Sequence, residues 1–243
     1  MNEDPELVAS VERGLAVLAA FRPDQDGMTL SEVAKESGLD RASARRFLHT
    51  LVARGYLRAD RQQFRLHPAV LELGNAYLAA LRLPRLALPH LAELSARFTE
   101  SASMAVLDGD KVVYVAHVPG KRLMAPVVTV GSSVAAHRTS LGRVLLAGRP
   151  DGDLASERFD AALRAEIDAA RRDGWFAAEE EGARSVAVPV RDGASATVAA
   201  IGISAHADRV SASALAETLR PALTEAAGRI ERAYREEDAD ADR

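Results

Sequence analysis

The sequence predicts an α+β protein in two parts, a small N-terminal winged helix-turn-helix and a larger C-terminal domain of antiparallel hairpins and helices. Three observations predict it. Helical periodicity recurs three times before residue 55, with a glycine in the turn between the second and third runs. A short, basic, two-stranded pattern follows. Beyond residue 100, apolar strand-like runs come in pairs around Asp-Gly turns, with helical runs between the pairs.

Ser10 is positioned to cap a first helix carrying Val11, Leu15, Val17, Leu18 and Phe21, which ends near Arg22-Pro23. After Asp26-Gly27, Thr29 or Ser31 opens a second helix with Leu30, Val33 and Ala34, stopping at Ser37-Gly38. Leu39-Asp40 start a third. In it Ala44, Phe47, Leu48 and Leu51 share one face, while Ala42, Arg46, His49 and Ala53 lie opposite, flanked by Ser43, Arg45 and Thr50. Tyr56-Leu57 and Phe64 to Leu66 form a wing around a basic turn through Arg58, Asp60, Arg61 and Gln62. Pro68 opens a helix from Ala69 to Leu83 that stops before Pro84, and Leu86 to Phe98 is a further helix.

Ser103 to Leu107 and Lys111 to Val118 make a hairpin around Asp108-Gly109-Asp110, with a third strand expected from Met124 to Val130. Gly131 to Arg138 is expected to be irregular. Thr139 or Ser140 caps a helix through Leu146, and Asp160 to Arg172 is helical by period. Arg184 to Arg191 and Thr197 to His206 form a second strand pair, and Ser211 to Tyr234 closes the chain as a long helix. The expected boundaries are 1–67 for the winged helix, 68–84 for a linker helix, 85–236 for the C-terminal domain and 237–243 for a disordered acidic tail.

Composition narrows the function. At 48% hydrophobic and 27% charged, with no apolar run near ~18 residues, the chain has the make-up of a soluble globular protein, not a membrane protein. The acidic first residues contain no secretory signal, and a cytoplasmic location is expected. There is no cysteine, hence no disulfide, thiolate nucleophile or Cys-type zinc site. The six histidines (49, 67, 90, 117, 137, 206) form no HxxxH pair, so neither metal nor cofactor is expected. No nucleophile elbow, phosphate loop or dinucleotide fingerprint is present, so no catalytic residue is assigned.

The net charge of -4 hides an uneven distribution. Between residues 41 and 65, seven arginines (41, 45, 46, 54, 58, 61, 65) stand against one acid, Asp60, while acids gather at 179–181 and in the tail. A helix with an inner apolar face and an outer basic one, beside a basic wing, suits a major groove and its phosphates. A solvated basic face is the plainer alternative. The candidate DNA contacts are Ser31, Arg41, Ser43, Arg45, Arg46, His49, Thr50 and Arg61.

The chain resembles the IclR family of bacterial regulators along nearly its whole length. The resemblance is carried by SVERGLAVLAAF (10–21), MTLSEVAKESGLDRASARRFLHTLVARGYL (28–57), TSLGRVLLA (139–147), GARSVAVPVRD (182–192) and IGISAHADRVS (201–211). LDRASARRFLHTLV and ISAHADRVS are most similar to the branch controlling aromatic-acid catabolism, such as protocatechuate and 4-hydroxybenzoate breakdown. The resemblance implies a GAF/PAS-like α+β effector domain behind the winged helix, and a homodimer or tetramer on palindromic operator DNA. It also implies an aromatic carboxylate as effector. Two departures stand out. The stretch between Gly174-Trp175 and Gly182 is about three residues short, so Glu179, Glu180 and Glu181 receive no ligand role. Ala135-Ala136-His137-Arg138 replaces a Pro-Ala-Tyr-Cys-like stretch, and His137 and Arg138 either alter effector choice or face solvent.

For the effector, Thr139 and Ser140 begin a helix whose free N–H groups suit a carboxylate, with Arg138 immediately before them, although most helix starts bind nothing. On Thr197 to His206, Val198, Ala200, Gly202, Ser204 and His206 share a small, partly polar face, with Ser185 and Ala187 beside it on the neighbouring strand. That face leaves room either for a ligand or for a closely packed helix. The candidate ligand residues are His137, Arg138, Thr139, Ser140, Ser185, Ser204 and His206. The expected function is a repressor, since repression needs only promoter occlusion. A ligand-independent DNA-binding protein and an enzyme acting on an aromatic acid are the alternatives.

Overall fold

The computed structural model describes residues 7–22, 25–121, 128–150, 159–180 and 182–241, arranged as two compact units, 1–77 and 78–243. Among the described residues no helix is long and apolar enough to cross a membrane.

The first unit holds α1 (Ala9–Ala19), β1 (Met28–Thr29), α2 (Leu30–Glu36), α3 (Arg41–Ala53), β2 (Leu57–Asp60), β3 (Gln63–Leu66) and most of α4 (Val70–Ala80). Side chains spaced at helical period bury Val17, Val33 and Leu48 completely and close them over Met28 and Leu57. Ser10 is not a cap: α1 begins at Ala9, after an extended Val8 with no side-chain cap, and ends before Arg22. Thr29, not Ser31, caps α2. It forms a reciprocal capping box with Glu32, whose carboxyl is held below its ordinary range by the Thr29 amide and hydroxyl. Asp40 caps α3 by accepting from the Ala42 and Ser43 amides, each at 2.9 Å. The two-residue strand β1, not expected from the sequence, adds a third strand to the wing in the order β1-β3-β2.

The expected helix from Ala69 to Leu83 is divided. α4 ends at Ala80, Leu81 is extended at φ -83° and ψ 109°, and α5 (Arg82–Phe98) starts four residues earlier than expected. Pro84 does not stop a helix because it sits in the first turn of one, where its missing N–H would have had no acceptor. No residue of α4 is buried, and Leu71, Leu73 and Tyr77 are more than half exposed, as are Leu7, Val8, Val11 and Leu15 at α1.

In the second unit, β4 (Ser101–Asp108), β5 (Lys111–Val118), β6 (Ser133–Ala135), β7 (Phe176–Glu180), β8 (Ala183–Arg191) and β9 (Thr197–His206) form one antiparallel sheet, ordered β6-β5-β4-β9-β8-β7. α8 (Ala212–Ala214) leads through a wide helical turn into α9 (Arg220–Ala241). α5 and α9 cover the face carrying Ala102, Met104, Val186, Val188, Ile201 and Ile203. α6 (Ser140–Ala147) and α7 (Ala161–Asp173) cover the other, over Ala105, Ala187 and Ala200.

Four expectations are corrected here. Of the strand expected at Met124 to Val130, residues 124–127 lie outside the described residues and 128–130 are not a strand. The stretch expected to be irregular holds β6 and a 3-10 turn, Ala136–Arg138, because Val112 and Val113 pair with Val134 and Ser133. β7 was not expected. It pairs with β8 from Phe176↔Ala187 to Glu180↔Ala183. The acidic tail, expected to be disordered, is helical as far as it is described: α9 continues to Ala241, and Glu237 and Asp238 form ion pairs with Arg85 and Arg82 of α5.

Two contacts tie this unit together. A Cβ on Gly142 would fall inside the van der Waals radius of the Ala136 carbonyl, 2.5 Å from its carbon, so α6 rests directly on the backbone of the 3-10 turn. Glu100, 5% exposed, receives both Nε and Nη2 of Arg209 at 2.9 and 2.7 Å, joining the start of β4 to the segment that leaves β9.

Candidate functional site

On α3, Ala44 and Leu48 are buried while Arg41, Arg45, Arg46, His49 and Thr50 are exposed, so packing of the apolar face turns the basic face outward. Arg41, Arg45, Arg46, Arg54, Arg58 and Arg61 have no ion-pair or hydrogen-bond partner among the described residues. Arg65 is spent internally, with Asp60 and Asp26 at 3.2 Å each and the Asp26 carbonyl at 2.6 Å. The one acid of the basic segment is therefore neutralised by one of its own arginines. Thr50 donates to the Arg46 carbonyl at 2.9 Å, and half-buried Ser43 turns to the Asp40 cap, holding that carboxyl below its ordinary range. Ser31 is exposed in the first turn of α2.

Arg61, at the wing tip between Asp60 and Gln63, has φ 54°. A non-glycine residue there costs about 1 kcal/mol or more, and a glycine would remove the cost. An exposed arginine kept in that conformation contributes nothing visible to packing.

In the second unit, Thr139 caps α6, accepting from the Gly142 amide at 2.9 Å, and Ser140 is buried. His137 and Arg138 are exposed on the 3-10 turn just before it. Leu141 reaches the sheet at Gly202, where a Cβ would meet its Cδ2 at 3.2 Å. The small face of β9 thus serves helix packing at Gly202, while its polar end extends beyond α6.

That polar end is a row. Ser101 of β4, Ser204 of β9 and Ser185 of β8 are directly in register across three adjacent strands, each half-buried. The hydroxyls of Ser185 and Ser204 have no hydrogen-bond partner among the described residues. The structure brings these two together as the sequence suggested, and adds Ser101. His206 lies one row further out, opposite Ala183 and exposed, with Nδ1 3.4 Å from the Asp208 carboxylate. Glu179 is held by Arg184 at 2.7 Å.

Ser103 and His117, next to this row on β4 and β5, were missed. Ser103, 8% exposed, lies 2.9 Å from His117 Nδ1. Burial lowers the His117 imidazole below its ordinary value, which keeps it neutral at neutral pH. Burial raises the nearby Tyr114 phenol above its ordinary value, keeping its proton too. The serine face at this end of the sheet is therefore uncharged and hydroxyl-rich.

Residues 10–61 match the IclR helix-turn-helix domain, and residues 75–232 match the bacterial transcriptional regulator IclR C-terminal domain. The Pca regulon regulatory protein of Pseudomonas putida is 35% identical over 90% of this chain and 82% of its own length. The p-hydroxybenzoate hydroxylase transcriptional activator of Acinetobacter baylyi is 30% identical over 93% and 91%. A crystal structure of an IclR homolog from Microbacterium hydrocarbonoxydans, complexed with 4-hydroxybenzoate, superposes with a TM-score of 0.77 at 27% identity, covering 92% of this chain and 98% of that one.

Proposed function

The chain belongs to the IclR family of bacterial transcriptional regulators, and from that premise we propose that it is a cytoplasmic, non-enzymatic regulator of aromatic-acid catabolism. Its operator affinity is set by an aromatic carboxylate such as 4-hydroxybenzoate or protocatechuate. The observation that carries this reading is the coexistence of an open arginine face on α3 with a half-buried hydroxyl row beside α6. Names of the Pseudomonas and Acinetobacter relatives, and the acid in the Microbacterium structure, support the chemical class. Repression by promoter occlusion is the simpler sign. The Acinetobacter activator favours a second reading, activation, and a reporter assay with and without the chain separates the two.

DNA contact is assigned to the first turn of α2, to α3 and to the wing, with Ser31, Arg41, Ser43, Arg45, Arg46, His49, Thr50 and Arg61 as its residues. Exposed apolar side chains, Val11 and Leu15 on α1 and Leu71 and Tyr77 on α4, support self-association. Two copies can then read a palindrome with half-sites about one helical turn, or a multiple, apart. Arg61→Gly is the discriminating variant. Stability should hold or rise by about 1 kcal/mol, because the positive φ is relieved. Operator affinity should fall at every sequence, with the salt slope flattened by about one per bound copy. Arg46→Ala should cost about 1–3 kcal/mol of binding selectively if it reads a base. Intact operator affinity in both variants, or a complex holding a single chain, would sink the assignment.

The effector's carboxylate is assigned to Arg138 and the α6 start at Thr139 and Ser140, with His137 at the rim. Ser185, Ser204 and His206 lie toward the ring. An anion leaving water needs fixed donors, and a guanidinium beside free helix N–H groups supplies them. Regulation further requires unequal binding to two conformations, and a tenfold response needs only ~1.4 kcal/mol of difference. Arg138→Ala should weaken acid binding by about tenfold or more, measured by calorimetry, with operator binding preserved. Unchanged affinity for every acid that binds the wild type would remove Arg138 as the anchor.

A further inference from the structure

The β4–β5 hairpin contains an irregularity that changes which side chains share the serine face. From the turn, Asp108 pairs with Lys111, and the ladder runs regularly to Ala105↔Tyr114. It then shifts by one residue, so that Met104 faces Ala116 and Val115 is left over as a bulge. Without the extra residue Ser103 would face Ala116, and His117 would turn to the face occupied by Met104 and Val188. With it, His117 stands opposite Ser103 on the serine face. A one-residue bulge has thus placed an imidazole opposite Ser103, on the face that also carries Ser101, where an unbroken ladder would have placed a methyl group.

The hydrogen bond to Ser103 occupies Nδ1. Nε2 has no partner among the described residues, and half-buried His117 also borders a groove along the outer edge of β5 toward Leu88 and Val130. One ring nitrogen is fixed by the protein and the other is available. A neutral imidazole in such a setting exchanges a hydrogen bond with a hydroxyl more readily than it neutralises a carboxylate.

We propose that His117, oriented by Ser103, reads a hydroxyl on the effector's ring and makes the pair the determinant of selectivity for hydroxylated over unsubstituted benzoates. This rests on the aromatic-acid reading above and assigns a role within it. A site that presents a polar group to a ligand hydroxyl rejects the analogue lacking it, because that group is then left unpaired. Orientation matters as well as presence: loss of Ser103 frees the ring to rotate, whereas loss of the ring removes the contact.

The test is calorimetry with 4-hydroxybenzoate, 3,4-dihydroxybenzoate and benzoate on wild type, Ser103→Ala, His117→Leu and His117→Gln, with melting curves as the check on folding. Wild type should prefer the hydroxylated acids by about tenfold or more. His117→Leu should lose that preference by weakening the hydroxylated acids while leaving benzoate within about threefold, and Ser103→Ala should fall between. His117→Gln, whose amide nitrogen can stand where Nε2 stood, should retain part of the preference. A preference that survives in a folded His117→Leu overturns the proposal, and so does a wild type that binds benzoate and hydroxybenzoates alike, which leaves the aromatic-acid reading standing. A wild type that binds none of the three acids removes both.

Discussion

Gly142→Ala is expected to lower the unfolding midpoint of the C-terminal unit by roughly 6–12 °C and to abolish acid binding. The added methyl would sit 2.5 Å from the Ala136 carbonyl carbon and 2.6 Å from its Cα, and closer still to the carbonyl oxygen. All three are backbone atoms, so no side chain can swing away. Relief requires α6 to lift from the 3-10 turn, which uncovers Leu141, Val144 and Leu145 and displaces the Thr139 cap with Arg138 beside it. Overpacking in a tight core costs about 1–3 kcal/mol and sometimes more. A clash this deep belongs at the upper end, and ~3 kcal/mol in a unit of this size corresponds to the stated shift. An unshifted melting curve with acid binding intact would show that α6 and the turn are not packed this closely.

Arg209→Ala is expected to destabilise the same unit by about 3 kcal/mol, because it strands a buried carboxylate. Glu100 is 5% exposed, and Arg209 is its ion-pair partner, making two hydrogen bonds to it. The arginine itself is partly exposed, and water entering the vacated space screens the remaining charge, which places the figure at the low end of the range for buried pairs. Combining Glu100→Gln with Arg209→Ala should recover part of the loss, since the amide tolerates burial better than the anion. A double-mutant cycle by chemical denaturation measures this. Strictly additive effects would show that the two groups do not depend on each other.

Elements whose ends are written in local chemistry were legible. Asp40 and Thr139 cap helices, Gly174 ends one at φ 71°, and Thr197 to His206 is an apolar run following the Asp192-Gly193 turn, so all were found within a residue or two. Elements defined by a distant partner were not. Ser133–Ala135 is three residues long, and Phe176–Glu180 reads FAAEE, with no alternation, so each is a strand only because β5 or β8 lies beside it. Pro84 misled because a proline that stops one helix and a proline in the first turn of the next look alike in sequence. The basic face of α3 and the neighbouring positions of Ser185 and Ser204 followed from periodicity. His117 did not, since counting from the Asp108-Gly109-Asp110 turn sends it to the wrong face unless the bulge at Val115 is known.

The arrangement of the C-terminal unit also bears on its synthesis. β4 lies between β5 and β9, with Ser101 opposite Ser204, and Arg85 of α5 meets Glu237 of α9. At about 5–20 residues per second, the β4–β5 hairpin leaves the ribosome on the order of 5–20 s before β9 is available to it. During that interval one edge of β4 carries unpaired amides and carbonyls, and the apolar side of α5 lacks its covering helix. Closure of the domain is therefore tied to the synthesis of β9 and α9, and the nascent chain passes through a stage in which a chaperone, or a neighbouring chain on the same message, can occupy the place that β9 will take.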